Sequence, residues 1–196
     1  RATPPAVAPP GPVRLRVAGR HRLANGLTAL IVEKPELPVV DLRLVVRAGA
    51  AADPPELAGL GSLTAEMLEE GTTTRGALDL ADQIDLLGAS LDAAASWDAT
   101  TIALHVLAQR LEPALELMAD AATRPAFPEA GFRRRQAERL TALLQERDEP
   151  RALAARAFAD RVYGPDHPYG RHALGSRRTV ERIDRKALVS FHADHY

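Results

Sequence analysis

Apolar and polar residues alternate over Val39–Ala48, where Val40, Leu42, Leu44 and Val46 sit two apart between Asp41, Arg43 and Arg47. Period two places one set of side chains on each face, so a strand with a core side and a wet side is expected. Upstream, Leu23-Ala24-Asn25-Gly26-Leu27 sets an Asn-Gly pair between apolar residues. Both residues tolerate positive φ, which predicts an antiparallel hairpin with Leu27–Val32 as its second strand. Downstream of Pro54-Pro55, Leu60, Leu63 and Met67 recur three and four apart up to Gly71, the spacing of a helix closed by a glycine. Leu80, Ile84 and Leu87 predict a second helix stopped at Gly88, and Ile102, Leu104 and Val106 alternate with Thr101, Ala103 and His105, making residues 90–107 another hairpin. Leu111, Leu115 and Met118 mark a third helix, Pro128 to Gln145 a longer fourth and Arg151 to Val162 a fifth. Hairpins interleaved with pairs of helices predict an α+β fold, a mainly antiparallel sheet packed against helices, and argue against a doubly wound parallel sheet.

Composition narrows the chemistry. The 196 residues allow a sizeable core, and 46% hydrophobic against 26% charged residues is the balance of a folded, water-soluble chain. Twenty-five basic and 26 acidic side chains give a net charge of -1, so no global field attracts nucleic acid or an anionic membrane. No cysteine is present, which removes disulfides, thiolate nucleophiles and Cys-ligated zinc together; any metal would need His, Asp or Glu. The opening RATPPAVAPPGP reads as a Pro/Ala-rich linker, here residues 1–19, with the folded domain expected over 20–196. No apolar run reaches the length of a membrane helix. Arg133-Arg134-Arg135 stands among Glu129, Glu138 and Glu146, which predicts a solvated, salt-bridged helix face and no nucleic-acid site.

Several of these segments fall together in one familiar order. Leu23-Ala24-Asn25-Gly26-Leu27, then Val39–Ala48 with Gly49, Ala50 and Asp53, then Gly59-Leu60 and Met67-Leu68-Glu69-Glu70-Gly71-Thr72 lead the series. Leu115–Asp120 with Pro125 and Phe127-Pro128, then His167-Pro168-Tyr169-Gly170-Arg171 and Phe191 with His195-Tyr196 complete it. Over residues 20–196 the chain resembles the first domain of the insulinase or pitrilysin-type (M16) zinc peptidases, which include the mitochondrial processing peptidases. The resemblance also implies a further strand and helix beyond Tyr196, so the domain is expected to be incomplete at its C-terminus.

The departure from the family lies at its chemistry. Active members carry His-x-x-Glu-His on the helix between those flanks: two imidazoles at i and i+4 hold zinc, and the glutamate takes a proton from the metal-bound water. The flanks place the first ligand at Ser62, the base at Ala65 and the second ligand at Glu66. The third ligand, a glutamate on the order of 75 residues later, falls at Ala142, between the equally unsuitable Thr141 and Leu143, with Gln145 and Glu146 one turn away. No catalytic, cofactor or metal residue is therefore expected in this chain. Ser62 and Glu66 read as polar positions of an amphipathic surface helix, with weak metal binding by Glu66 as the alternative. His192 and His195 are spaced to share a metal if helical but lack a third ligand. Asp166–Arg171 reads as an ordered turn, His105 as a half-buried structural residue, and Ser62 lacks the setting of a nucleophile elbow.

The resemblance implies a non-catalytic subunit or half that helps form a substrate chamber with an active zinc peptidase, which would supply the zinc and act on peptide or unfolded polypeptide. The alternatives are a divergent zinc metallopeptidase with altered ligands and a scaffold or interaction module without a protease role. The bacterial periplasm is the expected compartment and the cytoplasm the alternative, since a cysteine-free chain suits either.

Overall fold

The computed structural model describes residues 18–196, and the chain divides into two units, Arg1–Pro38 and Val39–Tyr196. The linker expected over 1–19 lies, except for its last two residues, outside the described residues. In the first unit β1 (Gly19–Arg22) pairs antiparallel with β2 (Thr28–Ile31), Gly19 opposite Ile31 and Arg22 opposite Thr28. The connecting loop turns where the sequence predicts, with Gly26 at φ +90° and the Asn25 side chain accepting the Leu27 N–H at 3.1 Å.

The second unit is built on a three-stranded antiparallel sheet in the order β3 (Val39–Val46), β5 (Thr100–Leu107), β4 (Ser90–Ala95). The alternation read in the sequence is realised: Ile102, Leu104 and Val106 of the central strand point inward, and Val40, Leu42, Leu44 and Val46 pack beside them. The remaining elements are α1 (Leu60–Met67), α2 (Ala77–Leu86), α3 (Leu111–Thr123), α4 (Glu129–Gln145), α5 (Pro150–Tyr163), α6 (Arg177–Val180) and α7 (Arg185–His195). Leu63, Met67 and Leu68 meet Met118 of α3, Phe132 of α4 and Leu188 and Phe191 of α7 in one core. Each such side chain contributes about 1.5–3 kcal/mol of burial. On α3 the buried stripe runs through Ala114, Leu117, Met118 and Ala121, and Leu115, read as a core position, is exposed.

α1 differs most from its sequence reading. It ends at Met67, four residues before Gly71, because the next carboxylates are drawn apart: Glu69 accepts the Ala93 N–H of β4 at 2.8 Å, and Glu70 turns to Arg134 and Arg135 of α4. Gly71 still carries a left-handed φ of +101°, but as part of the following turn. That turn is fastened by Asp120 of α3, which accepts from Thr72 Oγ1 at 2.7 Å, Thr74 Oγ1 at 2.8 Å and Arg75. Nor is α1 a surface helix. Apart from Glu66 it is buried along its length, between β4, α4 and α7.

His105 is also placed differently. It is exposed on β5 and bonded through Nδ1 to Asp41 of β3 at 2.7 Å, the opposite residue in the ladder. The polar side of that strand pair is where an imidazole and a carboxylate can meet without desolvation. The expected turn at 166–171 forms: His167 Nδ1 accepts the Tyr169 N–H, and Tyr169 donates its hydroxyl to Asp98 at 2.6 Å.

Candidate functional site

Ser62, Ala65 and Glu66, the positions to which the resemblance points, lie on α1, whose start is fixed from outside the helix. Asp53, six residues before Gly59, accepts the N–H groups of Gly59 and Gly61 with its two oxygens, both at 2.7 Å. These are two of the donors that a helix N-terminus leaves without an intrahelical partner. Burial pushes the Asp53 carboxyl up to about 6, against the opposing pull of those N–H groups and of Arg171. Gly59 must be glycine on two counts: its φ is +100°, and a Cβ there would stand 2.7 Å from the Leu174 carbonyl oxygen.

From this start α1 presents Ser62 and Glu66, one turn apart, to α4. Between them lies the guanidinium of Arg139. Its Nη1 donates to Ser62 Oγ at 2.8 Å and to the Leu174 carbonyl at 3.2 Å, and its Nη2 to Glu66 Oε1 at 2.5 Å. Ser62 Oγ also lies 3.0 Å from the Gly59 carbonyl and 3.1 Å from that of Ala173, acceptors for its own proton. Ser62 and Arg139 are each 4% exposed, whereas the Glu66 side chain is 37% exposed. Ala65 is wholly buried in the core, with no proton-accepting atom in its side chain.

The reading of Ser62 and Glu66 as positions on a surface helix is thus corrected: they are the α1 half of a buried polar joint. The α4 side chain that meets them is that of Arg139. Ala142, the residue reached by counting from the family spacing, is exposed, and Glu146 pairs instead with His172 at 3.0 Å. The family spacing asks for an acid on α4 and so does not point to Arg139. Its signal was a cation set among Phe132 and Leu143, the buried apolar positions of the same helix. Arg133 bonds Glu129 on the wet face as predicted, but Arg134 and Arg135 reach inward to the buried Glu70.

A zinc ion does not fit this donor set. One hydroxyl and one carboxylate supply two of the three protein ligands a catalytic site needs, and a fixed positive charge stands between them. His192 and His195 do not form an alternative: His192 Nε2 is bonded to the Ala122 carbonyl at 2.9 Å, while His195 lies against the Phe191 ring. Among the described residues no three His, Asp or Glu side chains converge. None of the described helices is long and apolar enough to cross a membrane.

Comparison with known proteins agrees with this architecture. The sequence profile of the family Insulinase (Peptidase family M16) matches residues 28–164. An uncharacterized zinc protease of Rickettsia bellii is 28% identical over 175 residues, 89% of this chain and 42% of that protein. Among solved structures, one described as a peptidase M16 inactive domain from Pseudomonas fluorescens superposes with a TM-score of 0.85 at 31% identity, covering 90% of this chain and 43% of that one. Pitrilysin superposes at 0.78 with 26% identity, covering 91% of this chain and 20% of its own. The chain thus spans about two-fifths of the length of the Rickettsia and Pseudomonas proteins and a fifth of that of pitrilysin. With this fold, and with a sequence in which no His-x-x-Glu-His occurs, the chain belongs to the M16 peptidase family as a member lacking that motif.

Proposed function

We propose that this chain is part of a non-catalytic subunit or half that helps enclose a peptide or unfolded polypeptide together with an active zinc peptidase of the same family. The observation that carries the reading is the guanidinium of Arg139 between Ser62 and Glu66. A single lost ligand is open to rescue by a neighbouring side chain. A buried cation in the middle of the site, bonded on both sides, opposes a dication electrostatically and occupies its volume. The likeness to a domain described as inactive supports the same reading.

The contribution of such a half is physical. Walls that close around an extended peptide limit its orientations and hold the scissile bond near chemistry supplied elsewhere. In this reading the zinc belongs to the partner, and the pair works in the bacterial periplasm, a compartment that the cysteine-free composition suits.

The experiment is co-purification with an M16 peptidase that carries an intact His-x-x-Glu-His and is encoded beside this chain. Peptide cleavage that requires both chains, with zinc counted only in the partner, is the expected result. Zinc-dependent cleavage by this chain alone overturns the proposal.

A further inference from the structure

We propose that a groove along α4, α5 and α6 binds an acidic, partly apolar segment of a polypeptide. The groove consists of two adjoining hollows, each of about 570 Å³, that share Arg156, Ser176 and Arg178. Neither includes Ser62, Glu66 or Arg139, and the inference does not rest on the partner reading above.

Charge is the first argument. Arg156 and Arg178 stand where the hollows meet, Arg171 lines the first, and Arg147 and Arg177 line the second. The acids on the linings are Asp160 in the first hollow and Glu181 in the second, and Glu181 is taken by Arg177 at 2.8 Å. Arg147, Arg156 and Arg178 have no ion pair among the described residues. The chain as a whole carries a net charge of -1, so this is a local concentration of cations on a balanced protein. Walls of low dielectric focus such a field and raise the local concentration of an anionic partner. Guanidinium groups match carboxylates in a planar, two-pronged geometry.

Shape and apolar lining select the kind of anion. Leu153 of α5 lines the first hollow and is 44% exposed, and Leu144 of α4 lines the second and is 62% exposed. A bare inorganic anion leaves both leucines in water. A segment that alternates carboxylates with apolar side chains covers them while its acids meet the arginines. Two joined hollows of this size, each within the range of about 300–1,000 Å³ typical of ligand sites, take several residues of such a segment.

The test is fluorescence anisotropy on the chain with labelled peptides of about ten residues, one alternating Glu and Leu, the other Lys and Leu. The Glu/Leu peptide is expected to bind and the Lys/Leu peptide not. R156E/R178E is expected to weaken binding about tenfold or more, since it reverses the charge where the hollows join. R110E, an exposed site outside both hollows, is expected to change it by less than about twofold. R156Q/R178Q carries the same reading, with a smaller loss, should charge reversal disturb folding by circular dichroism. Equal losses in R110E and R156E/R178E overturn the proposal, as does failure of the Glu/Leu peptide to bind. Tighter binding of a single-stranded oligonucleotide of equal charge, competing at the same site, also overturns it by assigning the groove to a different polyanion.

Discussion

Two joints tie the α1 segment to α4, and they bury opposite signs of charge. At the first, Arg139 is enclosed and its acid partner Glu66 is 37% exposed; at the second, Glu70 is enclosed and its partners Arg134 and Arg135 are 54% and 28% exposed. The buried arginine cannot shed its charge, so it takes a hydroxyl, a carbonyl and a carboxylate around its fork. The buried carboxylate has two cationic partners, one on each oxygen. The first joint stands where the flanking segments point for the family's metal motif, and there a protein-borne cation spans the two helices. The second joint, at Glu70, stays clear of those positions.

The sharpest way to break this comparison is to rebuild the metal site with and without its guanidinium. S62H/A65E/E66H is expected to hold no stoichiometric zinc while Arg139 remains among the new ligands. Adding R139E, which supplies a third ligand and removes the charge, is expected to give about one zinc per chain after dialysis. Elemental analysis decides, and zinc retained by the triple variant contradicts the role given to Arg139. Next in size, R134A/R135A leaves Glu70 buried without a partner and is expected to lose about 3–5 kcal/mol of stability in urea unfolding. Each single variant retains one partner and is expected to lose about 1 kcal/mol, so the pair should be far from additive. E66A strips Arg139 of its carboxylate, but water reaches that side. A loss of about 2 kcal/mol is expected, and about half that for E66Q, whose amide oxygen still accepts.

A further effect is one of pH at the start of α1. Asp53 has a folded value of about 6 against an ordinary 3.8, so the folded state holds its proton more tightly than the unfolded chain. The stabilisation tied to that proton is complete below the unfolded value and is lost as pH rises from about 4 to about 6. Comparing the chain with D53N by thermal melts across that window should show a steeper downward slope in the parent than in the variant, which keeps the contribution of the raised Glu69. A parent curve parallel to that of D53N refutes the assignment.

The elements were largely legible because they follow local periodicity: the Asn-Gly hairpin, the two-residue alternation of β3 and β5, and helices from α2 to α5 stand close to their expected places. The site was legible only in part. The flanks point to Ser62, Ala65 and Glu66, but the burial of these positions depends on α4 and α7, which are distant in sequence. A polar pair at i and i+4 has the same spacing on a wet helix and in a buried joint. What separates the two is an arginine 73 positions away, the 3D neighbour that no window along α1 contains.

One contact bears on how the molecule behaves in concentrated solution. β4 ends the three-stranded sheet, and the rim of a sheet invites strands of other molecules to add on and extend it. Here the outward N–H of Ala93 is occupied by the Glu69 carboxylate, which sits across the rim as a negatively charged stopper. E69A opens that position and removes the charge together. Its consequence is colloidal: light scattering on heating should rise earlier in E69A than in the parent chain, and unchanged scattering would mean that the rim is guarded by something other than Glu69.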